Sequence, residues 1–241
     1  MIITAHQPIY LPWLGFFHKI AISDIYVSLR GVQYSTNDWL NRNKILSAQG
    51  PIWLTVPVLT SGHMSKKIEE IEINNKVSWR EKHWKSILMN YKKAQFFSMY
   101  ADFFENMYLR MEWKYLVDIN EYLLIWLLNA LDIRAKVIKQ KEYDFSGHKT
   151  EFIADICTKL GANLFVFGAL GKEYADLNYF NSVGLRAYFQ EYVHPQYKQR
   201  YPGFHSHLSV IDLLFNCGPS SRDILMSGNV SKIQIQSGSV S

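Results

Sequence analysis

Residues 1–20 read MIITAHQPIYLPWLGFFHKI, and the way this stretch folds decides the architecture of the whole chain. Apolar and small residues lead into His6-Gln7-Pro8, Pro8 and Pro12 bracket a short break, and an apolar run follows. Proline removes a backbone donor, fixes φ and keeps the residue before it out of the helical region. The spacing therefore predicts a buried strand over Ile2 to Thr4, a loop over His6 to Leu11, and a first helical turn at Pro12, where a missing N–H is harmless. Trp13, Leu14, Phe16, Phe17 and Ile20 then form the apolar face of that helix. A strand, a polar loop and a helix whose first amides face the loop is the layout of an anion or nucleotide site. It is equally the layout of an ordinary strand-to-helix connection with an aromatic core face.

Working outward, Ile25-Tyr26-Val27-Ser28-Leu29 reads as a second strand, so that the chain opens as a βαβ unit. Gly31 to Lys44 is polar, and its Asn41-Arg42-Asn43-Lys44 puts two carboxamides and two cations in four residues, which suits a phosphate or carboxylate as well as a solvated turn. Pro51 to Leu59, flanked by Gly50 and Ser61-Gly62, reads as a third strand with Pro57 marking an end or edge. Ile68 to Ile73 reads as a short half-exposed strand. From Ser78 the period changes: Trp79, His83, Ile87 and Tyr91 fall on one helical face, with further helices over 96–112 and Tyr115 to Leu131. His83 in that stripe reads as a core residue.

Strands resume at Ala135 to Lys139, Leu164 to Phe167 and Leu185 to Tyr192. Between them Thr150 opens a helix that Gly161 closes as a C′ residue. Gly168-Ala169-Leu170-Gly171-Lys172 forms a turn of ligand-loop type that matches no nucleotide fingerprint. Ser209 caps a last helix ended by Gly218-Pro219, and the sequence beyond Met226 reads as a loose tail. The expected fold is α/β, a Rossmann-like, mostly parallel sheet with a helical insertion or cap. Residues 1–77 and 133–218 make the core, 78–132 the insertion and 219–241 a C-terminal extension that is flexible at its end.

The 241 residues are 48% hydrophobic and 20% charged, the balance of a globular protein with a large core. A net charge of +5 with scattered Lys and Arg suits anionic small ligands and argues against a nucleic-acid groove. Cys157 and Cys217 stand in apolar contexts, which reads as free thiols in a reducing cytosol, although a disulfide between them is open from sequence. No signal peptide, membrane-spanning run or metal-ligand spacing is visible, so the expected location is cytoplasmic and no metal is expected.

HQPIYLPWLGFFHKI, the NRNK segment, WLTVPV, the Trp79-to-Tyr91 stretch, HPQYKQ and LSVIDLLFNCG together resemble the WbqC-like proteins, over residues 2 to 218. Such bacterial proteins are often encoded with O-antigen and other surface-polysaccharide genes, and the resemblance implies sugar modification, with transfer of an amino acid such as glycine as one suggested activity. Two departures stand out. Leu29-Arg30-Gly31-Val32-Gln33 lacks the acidic residues that the family commonly carries before the glutamine, and Phe167-Gly168 replaces its usual Ser-Gly. A weaker architectural resemblance links PIYLPW to the histidine-containing turn of HIGH-type nucleotidylyltransferases, with Tyr10 and Trp13 at the histidine positions, which undermines adenylyl transfer.

The expected function is therefore a transferase placing an acyl or aminoacyl group on a nucleotide-linked amino sugar, with an activated acyl or aminoacyl donor as co-substrate. Such chemistry needs a base and hydrogen-bond donors. His6 and His194, in loops after strands, are the candidate bases. Gln7, Asn41 and Asn43 are candidate donors, Arg42, Lys44 and Lys172 candidate diphosphate ligands, Tyr10, Trp13 and Tyr197 candidate stacking platforms, and Gln33 a further candidate for substrate binding. An ATP-dependent ligase or nucleotidyltransferase, and a non-catalytic nucleotide-sugar-binding protein, are the alternatives. All of these readings require the loops of His6, Asn41–Lys44 and His194 to meet at one pocket.

Overall fold

The computed structural model describes residues 1–35, 39–59 and 66–239. A five-stranded, wholly parallel sheet is built from β1 (Ile2–His6), β2 (Ile25–Ser28), β5 (Lys136–Lys139), β6 (Leu164–Phe167) and β7 (Arg186–Phe189), in the order β5-β2-β1-β6-β7. Its strands are short runs of apolar residues because both faces are covered. Alternation sends Ile3, Ala5, Ile25, Val27, Phe165 and Phe167 to one face, where α5 (Thr150–Lys159) and α6 (Leu177–Ser182) supply Ile153, Ile156 and Phe180. Tyr26 turns to the other face, against Phe16 and Phe17 of α1 (Leu14–Ala21). The Rossmann-like class expected from the opening βαβ unit is the one observed.

The chain winds from β1 outward through β2 to β5, then returns past β1 to β6 and β7. The switch point lies between β1 and β6, and in open parallel sheets the crevice at the carboxyl ends of such strands is where ligands bind. The loops after β1 and β6 therefore matter most.

Several local expectations are corrected. α1 begins at Leu14 with Trp13 as its N-cap, not at Pro12, because Leu11 takes φ 47° and Pro12 completes the turn. Arg42, Asn43 and Lys44 are not in a loop: they open β3 (Arg42–Ser47), which pairs antiparallel with β4 (Gly50–Thr55) in a hairpin separate from the main sheet. Polar residues tolerate a two-stranded ribbon because one of its faces is wet. Ile68–Glu70 is a turn of 3-10 helix, flanked by isolated bridges, and not a strand. Ser61-Gly62 lie outside the described residues.

The helices α2 (Trp79–Tyr91), α3 (Phe97–Leu109) and α4 (Leu116–Ala130) stand between β4 and β5 in sequence, and Trp79, His83, Ile87 and Tyr91 are buried as their four-residue spacing requires. They share one core with α1 and with α7 (Val210–Cys217), where Phe215 packs on Tyr91, Phe97 and Phe104. Beyond α8 (Ser221–Met226), the stretch read as a loose tail forms α9 (Lys232–Ser237), opened by a capping box between Ser231 and Gln234. Ile235 is buried with Ile2, Ile22 and Leu164, and Lys232 pairs with Asp24, so this segment closes the amino ends of β1 and β6. Both cysteines are free thiols. Among the described residues, no helix is long and apolar enough to cross a membrane.

Candidate functional site

A cavity of about 640 Å³ opens at the switch point. Its floor carries His6 and Gln7 from the end of β1, its sides Trp13 and Lys19 from α1 and the Gly168–Gly171 turn after β6, and its rim Gln190, Tyr192 and His207. Trp39 also reaches it.

His6 Nδ1 lies 2.8 Å from the Gln7 carbonyl oxygen, which only accepts, so Nδ1 carries the proton and Nε2 the lone pair. The ring meets Phe16 edge-on at 5.4 Å. Burial first, and the Lys19 charge second, bring the His6 pKa down to about 3 against the opposing pull of the Gln7 carbonyl. At neutral pH it is an uncharged base.

Lys19 is the group that sequence reading missed. It sits in α1 amid Phe16, Phe17 and Ile20 and is only 4% exposed. Helical side chains lean back toward the helix N-terminus, which carries its ammonium from the sixth residue of α1 toward the cavity. Burial lowers its pKa to about 8. The sequence signal was present: a lysine three residues after Phe16, inside an apolar stripe.

The aromatic wall depends on two close approaches. The Trp13 indole folds back over Gly15, where any side chain would collide with the ring. It stacks on His207 at 5.2 Å and meets Tyr192 edge-on at 5.6 Å. Gln190 then ties wall to helix, donating from Nε2 to the Gly15 carbonyl and to His18 Nδ1, both at 2.8 Å. His18 in turn donates from Nε2 to the Val230 carbonyl at 3.0 Å, so the segment before α9 also steadies α1.

This buried His18, 1% exposed, has its pKa lowered from 6.5 to about 4, chiefly by burial. The unfolded chain takes up a proton on it below pH 6.5 and the folded chain only near 4, so its contribution is complete above 6.5 and is lost as the pH falls through that window. Moving from pH 7 to 5 is expected to cost about 2 kcal/mol from this residue. His18→Gln keeps an acceptor and a donor, and urea unfolding at the two pH values should show the acid loss smaller by that amount in the variant.

The structure brings His6, Gln7 and Trp13 together at the cavity and places the other candidates elsewhere. Tyr10 is fully buried, bonded through its hydroxyl to His83 Nδ1 at 2.9 Å and to Tyr108. Asn43, also fully buried, donates to the Leu11 carbonyl and so holds the left-handed Leu11, while Asn41 donates to Val56 O at 2.9 Å. Asn43 shapes the loop that follows His6, and Asn41 ties the start of the hairpin to the segment after β4. Arg42 and Lys44 lie over the Trp53 ring at 4.6 and 4.9 Å. Gln33 is exposed, bridged to Lys67.

Lys172 pairs with Glu191 at 2.5 Å on the wall of a separate cavity beside β7. Tyr197 donates to Asp212 at 2.8 Å. His194 stands behind the wall: its ring is 5.4 Å from His207, its Nδ1 faces the Pro195 carbonyl at 3.0 Å, and burial lowers its pKa. The convergence of three loops required by the sequence reading is thus not what is seen: Asn41–Lys44 and His194 lie outside the cavity, and a function there rests on His6, Gln7 and Trp13 without them.

Arg30, which replaces the expected acids, is 8% exposed and pairs with Glu69 at 3.0 Å and Glu121 at 3.3 Å. Glu121 also accepts from Ser28 Oγ at 2.8 Å and pairs with Lys139 at 3.0 Å, and Asp118 of α4 lies 4.0 Å from Arg30, so these pairs tie the ends of β2 and β5 to α4. Among the described residues no group of three His, Cys, Asp or Glu is placed to hold a metal ion.

A family model described as the WbqC-like protein family matches residues 7–224. The chain is 34% identical to the uncharacterised Mycobacterium tuberculosis protein Rv1507c over 220 residues, which is 91% of this chain and 95% of that protein. No solved structure matches. The match begins at the floor of the cavity, takes in both walls and ends within α8, at a level of identity that extends over nearly the full length of a second protein: the chain belongs to the WbqC-like protein family.

Proposed function

We propose that this protein is a transferase that places an acyl or aminoacyl group, such as glycyl, on the amine of a nucleotide-linked amino sugar in surface-polysaccharide assembly. The observation that carries the reading is the neutral His6, its Nδ1 proton fixed on the Gln7 carbonyl, on the floor of a cavity at the switch point of the sheet. In the transfer the amine nitrogen bonds to the acyl carbon, the donor's leaving group departs with its electron pair, and His6 Nε2 takes the proton released by nitrogen. Gln7 is the adjacent donor for the sugar or the carbonyl oxygen. Trp13, Trp39 and Tyr192 offer flat faces for a base or sugar ring.

The nucleotidyltransferase alternative loses support, because Tyr10 is locked into a buried cluster with His83 and Tyr108 and Trp13 is a wall residue. The test is incubation of the protein with a panel of nucleotide-linked amino sugars and activated acyl and aminoacyl donors, read by mass spectrometry of the sugar. An amide-linked acyl group on the sugar is the expected result. Saturable binding of the nucleotide sugar, seen as thermal stabilisation, without transfer from any donor would replace this reading with that of a binding protein.

A further inference from the structure

Among the described residues that line the cavity, Lys19 is the one Lys or Arg, and no Asp or Glu is present. Lys19 is 96% buried by its 4% exposure, and its ammonium has no hydrogen-bond or ion-pair partner among the described residues. Buried charges are ordinarily paired, since an unpaired one costs several kcal/mol of hydration. The cations that sequence reading assigned to a diphosphate are engaged elsewhere: Lys172 with Glu191, Arg42 and Lys44 over Trp53. A folded chain that keeps an uncompensated ammonium against an open, aromatic-walled space has left the counter-charge to the occupant.

We propose that Lys19 is the anion-binding residue of this cavity and receives a phosphoryl oxygen of a nucleoside-diphosphate ligand whose base or sugar lies along Trp13 and Tyr192. The inference rests on the cavity being the ligand site, as in the proposed function, but not on any transfer step. An acyl group need never move for Lys19 to bind phosphate.

A consequence follows for protons. Burial holds Lys19 near pKa 8, so at pH 8 about half of the free protein carries it uncharged. A phosphate beside it favours the charged form, and binding takes up as much as about half a proton. The other titratable groups facing this space are His6 from β1, Tyr174 from the turn after β6, and Tyr192 and His207 from the segment after β7. His6, near 3, is too far below pH 8 to supply that proton, and burial moves both tyrosines upward, away from it.

The test is calorimetric titration of the full chain with UDP, inorganic pyrophosphate and uridine at pH 8, the UDP runs in two buffers of different ionisation enthalpy. UDP has lost its last phosphate proton well below this pH, so uptake belongs to the protein. UDP is expected to bind about 10- to 100-fold more tightly than uridine, with proton uptake. Lys19→Met should lose that margin and the uptake while leaving uridine binding unchanged. Lys19→Arg, permanently charged, should recover much of the UDP affinity without proton uptake. Because Lys19→Met removes an unpaired buried amine, it is expected to melt no lower than the wild type, so lost affinity would not be lost fold.

Equal affinities of wild type and Lys19→Met for UDP would overturn the proposal, as would equal binding of UDP and uridine to the wild type. So would the absence of millimolar or tighter binding of both UDP and pyrophosphate. A protein that binds UDP through Lys19 yet transfers nothing retains the anion site and loses only the transferase reading.

Discussion

Asp212→Ala is expected to lower the unfolding free energy by about 2–5 kcal/mol, the cost of leaving neutral buried donors unsatisfied, a large share of the roughly 5–15 kcal/mol that holds a typical domain folded. Asp212 is fully buried in the first turn of α7 and accepts three hydrogen bonds: from the Tyr91 hydroxyl at 2.7 Å, the Tyr197 hydroxyl at 2.8 Å and Gln199 Nε2 at 2.9 Å. Burial raises its pKa even though all three donors oppose that shift. Alanine leaves the Tyr91 and Tyr197 hydroxyls without their acceptor and takes one of the two acceptors of Gln199 Nε2, which keeps the His205 carbonyl at 2.9 Å. Asp212→Asn keeps one acceptor oxygen but turns an amide toward the remaining donors, so a smaller loss of about 1–3 kcal/mol is expected. Urea unfolding of the three proteins checks the order, and a loss below about 1 kcal/mol for the alanine variant would refute the role.

The same variant should also loosen one side of the cavity. Tyr197 and Gln199 belong to the irregular stretch after β7 that carries Gln190, Tyr192 and His207 to the rim, and Gln199 in turn holds the His205 amide at 2.8 Å. Amide exchange in residues 197–205 should therefore accelerate more than exchange in β1 or β6.

What could be read from sequence, and what could not, divides along the range of the interactions. The parallel strands announce themselves because Ile2–Thr4, Ile25–Val27 and Leu164–Phe167 are buried on both faces and carry their signal within four or five residues. The helical stripe Trp79, His83, Ile87, Tyr91 does the same at a period of four. Arg42-Asn43-Lys44 misleads because its polar character is local while its fate is tertiary: Asn43 is buried only because Leu11, 32 residues away, offers it a carbonyl. The cavity wall is harder still. Gln190 reaches the Gly15 carbonyl across 175 positions, and nothing near either residue signals the meeting. Lys19 is an intermediate case, visible as a charge in an apolar stripe but given meaning only by the empty space before it.

His6→Ala is expected to reduce the turnover of the proposed transfer by about 10²- to 10⁴-fold, the usual worth of a positioned general base. The discriminating variant is His6→Asn, whose amide can still donate to the Gln7 carbonyl as Nδ1 does but offers no basic lone pair. If His6 only shapes the loop, His6→Asn keeps its rate; if it takes the proton, both variants fall together with little change in KM. The pH profile carries a second signature. In the free protein the Lys19 charge helps to hold His6 near 3. A phosphate bound at Lys19 cancels that charge and lets the imidazole become more basic. The acidic limb of kcat, which reports the complex, should therefore lie at higher pH than that of kcat/KM, which reports the free enzyme and should stay flat until the fold itself fails. Lys19→Met removes that charge from the free protein and should move the acidic limb of kcat/KM to higher pH. Coincident limbs in the wild type would mean that no anion bound beside Lys19 raises the basicity of His6, and an acidic limb of kcat/KM near 6.5 would move the base to another imidazole.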